Sequence, residues 1–242
     1  MNIESLHARG AAPWRYAIYC APAPGTAWWD AGSTWLGRDA ASGAALRQPT
    51  VTGMSSTELA VCTAEPRRYG WHATLKPPFA LAEGLTLADL RRALYELCAQ
   101  LAPVQLPPLQ VQQLDHFLAL LPPVRVAALD DLAAACVTRL QRLARPLDAG
   151  ELARRRQAGL NDAQERMLQA WGYPWVLEFF RFHFSLTGPL NAVSEAGQAA
   201  LLAAARAQFA QLPALRLDRL AVFVEARKGA DFELLEFMDL TG

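Results

Sequence analysis

The sequence predicts an α+β protein of two related lobes, with antiparallel or mixed sheets facing a central cleft and helices outside. Three observations predict it. A short histidine motif occurs twice, as His72-Ala-Thr-Leu-Lys-Pro-Pro-Phe79 and as His183-Phe-Ser-Leu-Thr-Gly-Pro-Leu190. A helical stretch follows each copy. A strand pattern follows each helix: Leu106, Pro107, Leu109, Val111, Leu114 and Phe117 match Leu212, Pro213, Leu215, Leu217, Leu220 and Phe223 at a constant separation of 106 residues. The motif histidines are 111 residues apart. Repetition of this kind implies duplicated supersecondary units. Strands and helices mixed with hairpin-like returns imply the α+β class.

The elements follow in order. Residues 1–14 read as a loose tail, with no apolar stretch of the signal-peptide kind. Tyr16 to Ala21 reads as a first strand ending at Pro22, and the first histidine motif as the next. Leu87, Leu90, Leu94, Leu97 and Leu101 recur at helical spacing. Leu129 to Leu143 reads as a helix joining the lobes. Asn161 to Trp171 reads as another, with Asn161 or Asp162 at its cap. An Ala-rich helix spans about Ser194 to Leu212, with Ser194 as its N-cap. Phe232 to Phe237 reads as the last strand. Residues 15–242 then form one bilobal domain, with the first-motif lobe centred on about 65–125. A helical connection spans about 126–175, and the second-motif lobe about 176–240.

The composition narrows the function. At 52% hydrophobic and 19% charged, the chain can bury a sizeable core. A formal net charge of zero provides no global field for a long nucleic acid. No run of about 18 apolar residues is present, so no membrane span is expected. Cys20, Cys62, Cys98 and Cys136 are dispersed and form no C-x-x-C, as expected of reduced thiols in a cytoplasmic protein. There is no P-loop, no Gly-rich dinucleotide turn and no H-E-x-x-H, and the four histidines are scattered. We expect no metal and no cofactor. The oligomeric state stays open.

Alternation along a strand explains why the two motifs read as a site. Trp71, Ala73 and Leu75 fall on one face and are apolar. His72, Thr74 and Lys76 fall on the other. In the second copy Phe182, Phe184 and Leu186 oppose Arg181, His183, Ser185 and Thr187. Each strand so buries one face and shows a row of histidine and hydroxyl on the other. In-line cleavage of a phosphodiester needs a base on the attacking oxygen and an acid on the leaving oxygen. Two imidazoles can serve as both, because their free pKa lies near ~6.5. Thr74 and Ser185 can donate to non-bridging phosphate oxygens. Lys76 or Arg181 could steady negative charge. A lone strand histidine is ordinarily structural; the second copy inside a longer repeat shifts that balance. His7, in the tail, and His116, which aligns with Val222, have no such support and read as structural.

The paired His-x-Thr and His-x-Ser signatures resemble those of the two-histidine (2H) phosphoesterase superfamily. Within it the chain is similar to a family of phosphonate-metabolism proteins encoded in phosphonate-utilisation operons. The matching pieces are Arg15-Tyr-Ala-Ile-Tyr19, Trp35-Leu-Gly-Arg-Asp39, Arg68-Tyr-Gly-Trp-His-Ala-Thr-Leu-Lys76, Trp171-Gly-Tyr-Pro174 and Phe180-Arg-Phe-His-Phe-Ser-Leu-Thr-Gly188. The resemblance implies a bilobal, pseudo-symmetric fold, a metal-independent mechanism and catalytic roles for His72, Thr74, His183 and Ser185. Lys76, Thr187, Arg181, Tyr173 and Arg68 are added as substrate-binding candidates from face and proximity. The expected activity is opening of a cyclic phosphodiester on a small phosphorylated sugar or nucleotide, linked to phosphonate utilisation. Two alternatives stand beside it: an RNA-end 2′,3′-cyclic phosphodiesterase, and a non-catalytic protein that binds a phosphorylated metabolite. Arg154, Arg155 and Arg156, the nearest thing to a basic run, read as part of a solvated helical connection.

Overall fold

The computed structural model describes residues 13–242. His7 and most of the expected tail lie outside them. Trp14 lies inside and is anchored, its N–H donating to the carbonyl of Glu225 at 2.9 Å.

The elements are β1 (Arg15–Cys20), α1 (Ala27–Leu36), α2 (Ser56–Cys62), α3 (Ala64–Tyr69), β2 (Ala73–Phe79), α4 (Leu87–Cys98), β3 (Val104–Gln105), β4 (Gln110–Leu114) and β5 (Phe117–Leu121). They continue with α5 (Ala127–Leu140), α6 (Ala149–Arg156), α7 (Asp162–Trp171), β6 (Phe184–Ser185), α8 (Glu195–Phe209), β7 (Arg216–Leu217), β8 (Arg219–Glu225) and β9 (Phe232–Asp239). The expected caps form. Asn161 makes a capping box with Gln164, and the Ser194 hydroxyl accepts from the Gly197 N–H at 3.2 Å.

Seven strands form one antiparallel sheet in the order β4-β5-β6-β2-β1-β8-β9, and β3 with β7 forms a separate two-stranded ribbon. The α+β class holds. The expectation of two facing sheets is replaced by one continuous sheet, because the two motif strands pair directly at Ala73 and Phe184.

The main core lies on one face of that sheet. Leu90, Leu94 and Leu97 of α4, Leu129, Leu132 and Leu140 of α5, and Leu201 and Phe209 of α8 pack there on Trp71, Ala73, Phe182, Phe184 and Leu186. These are the residues that alternation assigned to the inner face. Trp71 stacks on Phe184 with centroids 4.9 Å apart, which ties the motif strands together from below. Helix α1 crosses Trp71 at Gly32, where an added Cβ would overlap the indole. Close approach of this kind needs glycine. Trp35 of the same helix donates its indole N–H to the Leu186 carbonyl at 2.9 Å. A smaller cluster of Ala17, Tyr19, Trp29, Ala221, Phe223 and Phe232 lies apart from the main core. Strand β1 contributes alternate residues to both clusters, so it is buried on both faces.

The repeat is realised only in part. Leu114 and Phe117 flank a turn, at which Asp115 adopts φ 52°, whereas Leu220 and Phe223 lie within the continuous strand β8. A shared apolar spacing therefore serves a hairpin in one half and a long strand in the other. The segments before them pair with each other, Val104 with Leu217 and Gln105 with Arg216.

Candidate active site

The pairing of Ala73 with Phe184 fixes the geometry. In an antiparallel pair the register continues by one residue each way, so His72 lies opposite Ser185 and Thr74 opposite His183. A local dyad through the Ala73–Phe184 pair exchanges His72 with His183 and Thr74 with Ser185. Continuing that register makes the two histidines diagonal neighbours, a relation that sets residues about 7–8 Å apart with their Cβ atoms somewhat closer. That gap suits a phosphate group held between two rings.

Both rings are held the same way. The Nδ1–H of His72 donates to the Gly70 carbonyl at 2.9 Å, and that of His183 donates to the Arg181 carbonyl at 2.7 Å. Each acceptor is two residues before its histidine. Donation from Nδ1 selects the tautomer with a lone pair on Nε2. The His72 Nε2 lies 3.2 Å from the Thr74 hydroxyl. Aromatic neighbours orient the rings further. Tyr19 stacks on His72 with centroids 3.7 Å apart, and Phe117 tilts against His183 at 5.5 Å. Burial lowers the His72 pKa to about 4, opposed by its bond to Gly70 and reinforced by His183. Burial also lowers that of His183. Both rings are consequently neutral in the free protein at pH 7.

These residues open onto one cleft of about 890 Å³, lined by His72, Thr74, His183, Ser185, Thr187 and Tyr19 among others. The volume is in the range of small-molecule sites. Arg68, Tyr173 and Arg181 also line it. Arg181 sits at the exposed rim, paired with Asp115 at 2.6 Å. Thr187 is buried, and its hydroxyl accepts from the Leu118 N–H at 3.0 Å. That leaves its own proton free to donate. Arg68 is fixed by Glu225, which is fully buried and also binds Arg15 and the Gly229 N–H. His116 is exposed in the turn beside Asp115 and is not on the cleft wall.

Lys76 is the correction. Alternation put it on the histidine face, but it is 2% exposed and its Nζ donates to the Gln141 side-chain oxygen at 2.9 Å, beside α5. The cause is a bulge: Tyr19 pairs with Thr74 and Ile18 with Lys76, leaving Leu75 unmatched. One extra residue reverses the faces beyond it. Burial lowers the Lys76 pKa to about 8. We expect Lys76→Met to leave kcat/KM within about twofold and to hold or raise Tm, because it replaces a buried cation by an apolar chain of similar length. A tenfold loss in steady-state kcat/KM would place Lys76 back in the site.

Sequence reasoning did not single out Tyr19, Phe117, Arg15, Glu225 or Arg155. Tyr19 and Arg15 lay within a family-like segment, but nothing in that segment indicates a ring stacked on a histidine 53 residues away. Among the described residues, no group of three or more His, Cys, Asp or Glu side chains is placed to hold a metal ion. No helix there is long and apolar enough to cross a membrane.

Two curated relatives are similar to this chain. One is named ribose 1,5-bisphosphate phosphokinase PhnN, from Janthinobacterium sp. (strain Marseille); it is 40% identical over 221 residues, which cover 90% of this chain and 49% of that protein. The other bears the same name, from Laribacter hongkongensis (strain HLHK9), and is 38% identical over 220 residues, covering 91% of this chain and 50% of that protein. The chain thus spans about half the length of these relatives. A family model described as protein of unknown function (DUF1045) matches residues 74–233, and the chain belongs to that family.

Proposed function

We propose that this chain is a metal-independent phosphoesterase that opens a cyclic phosphodiester on a small phosphorylated sugar or nucleotide. The observation that carries it is the matched pair of histidines, each held by its Nδ1–H on a backbone carbonyl two residues before it, opening with Thr74 and Ser185 onto one cleft. In this reading one Nε2 takes a proton from water as its oxygen attacks phosphorus. The other histidine, protonated, gives its proton to the leaving sugar oxygen. Thr74 and Ser185 donate to the non-bridging oxygens. In this reading residues 15–242 form one bilobal two-histidine domain, a reading supported by the direct pairing of the motif strands at Ala73 and Phe184.

The relatives' name supports a phosphorylated pentose as substrate and accords with phosphonate utilisation. We assign the phosphokinase activity in that name to the part of those proteins beyond the matched half. The present sequence has no G-x-x-x-x-G-K-[ST] cradle for nucleotide phosphates.

A pH test follows from the lowered pKa values. The active pair holds one proton, so kcat/KM is greatest between its two apparent values. Both lie below the free-histidine value, which puts the bell on the acid side of neutrality. Anion binding beside the neutral rings raises their affinity for a proton. Titration calorimetry of phosphate near pH 6.5, in buffers of different ionisation enthalpy, should therefore show net proton uptake. Activity in EDTA should be unchanged. An optimum above pH 8, or chelator-sensitive turnover, would count against the reading. Tight binding without turnover would favour a non-catalytic metabolite-binding role.

A further inference from the structure

The cleft carries a cation that the proposed chemistry leaves unused. Helix α6 places Arg154, Arg155 and Arg156 in its last turn. Arg156 pairs outward with Glu165 at 2.6 Å. Arg154 and Arg155 line the cleft. The Arg155 guanidinium lies over the Tyr173 ring, 5.1 Å from its centroid. Its Nε is buried and has no hydrogen-bond partner among the described residues.

Two of the carboxylates that line the cleft have other partners. Glu151 binds Arg145 at 3.1 Å and the Asp148 N–H at 3.0 Å. Glu225 binds Arg15 and Arg68. Arg155 is thus left beside Arg15 and Arg154, and burial together with those like charges lowers its pKa. A buried donor without an acceptor is costly, and an unpaired guanidinium more so. An oxyanion would satisfy both needs. The planar fork of arginine matches phosphate oxygens in pairs.

We propose that Arg155, supported by Arg154 and Tyr173, is a subsite for a second phosphate, a terminal phosphate monoester on the same sugar whose cyclic diester meets the histidines. The diester half of that statement rests on the phosphoesterase reading. The anion subsite rests on its own geometry.

Ribose 5-phosphate, which has a monoester and no diester, separates the two. Its binding would be measured by titration calorimetry to the full chain, to Arg155→Met, to Arg155→Lys and to the His72→Ala/His183→Ala double variant. The subsite requires binding to the wild type, roughly 10- to 100-fold weaker binding to Arg155→Met, and partial rescue by Arg155→Lys. The histidine double variant should bind within a few fold of wild type. Arg155 is half-buried and unpaired, so Arg155→Met should hold or raise the melting temperature, and weaker binding by it cannot be put down to unfolding. A second arm compares cyclic diesters with and without a distal phosphate. Arg155→Met should raise KM for the first alone and leave kcat nearly unchanged. No binding of ribose 5-phosphate at millimolar concentration, or binding indifferent to Arg155, overturns the subsite. Arg155-dependent binding with no turnover of either diester overturns the phosphoesterase reading and leaves the subsite standing.

Discussion

His72→Ala and His183→Ala are each expected to slow opening of the cyclic diester by about 10²–10⁴-fold. The double variant should fall little further than the worse single one. In the proposed mechanism the two rings act on one transferring phosphoryl group, and groups that act as a unit are strongly non-additive. Each ring is held by a backbone carbonyl and not by a carboxylate, so replacement leaves no buried charge behind. The melting temperature should fall more for His72→Ala, which loses the Tyr19 stack, than for His183→Ala. Single-turnover rates of the two single variants and the double variant give the answer. A double variant that loses the product of the two single effects would mean that the rings act on separate steps.

Glu225→Ala is expected to be the most destabilising exchange near the cleft. The carboxylate is fully buried and receives Arg15 on one oxygen, with Arg68 and the Gly229 N–H on the other. Removing one partner of a buried ion cluster leaves uncompensated charge and costs about 3–5 kcal/mol. For a chain of this size that lowers Tm by roughly 6–20 °C. Arg15 and Arg68 both line the cleft, so substrate binding should weaken as well. Glu225→Gln keeps the shape and an acceptor, and should fall between. Thermal unfolding followed by circular dichroism measures both. A shift under about 1 °C for Glu225→Ala would mean that the arginines find other partners.

Much of the candidate site is legible because the histidine motif occurs twice. His72 with Thr74 and His183 with Ser185 stand on the outer face of strands whose inner residues, Ala73 and Phe184, are fully buried. Alternation is enough to find that face. It fails at Lys76, since a bulge at Leu75 depends on how β1 pairs with β2 and leaves no periodic trace. The match of Phe117 to Phe223 fails for a similar reason. Apolar spacing records which residues need burial, and both a hairpin and a straight strand can supply it. Helices α1 to α3 were not anticipated. Trp28, Trp29 and Trp35 of α1 are all buried, so that helix presents no clean polar face to reveal its period. Arg155 was hidden in another way. In sequence it is the middle of three arginines; only the fold separates Arg156, paired with Glu165, from Arg155, over Tyr173.

The most direct test is phosphorus NMR of the purified protein in EDTA, with the histidine double variant alongside. Three substrates would be offered: a phosphoribosyl cyclic phosphate, a nucleoside 2′,3′-cyclic phosphate and a short RNA with a cyclic end. We predict conversion of a small cyclic diester signal to a monoester signal, fastest for the substrate with a second phosphate and absent with the double variant. Turnover that survives loss of both histidines, or no ring opening of any substrate while phosphate still binds, would contradict the account.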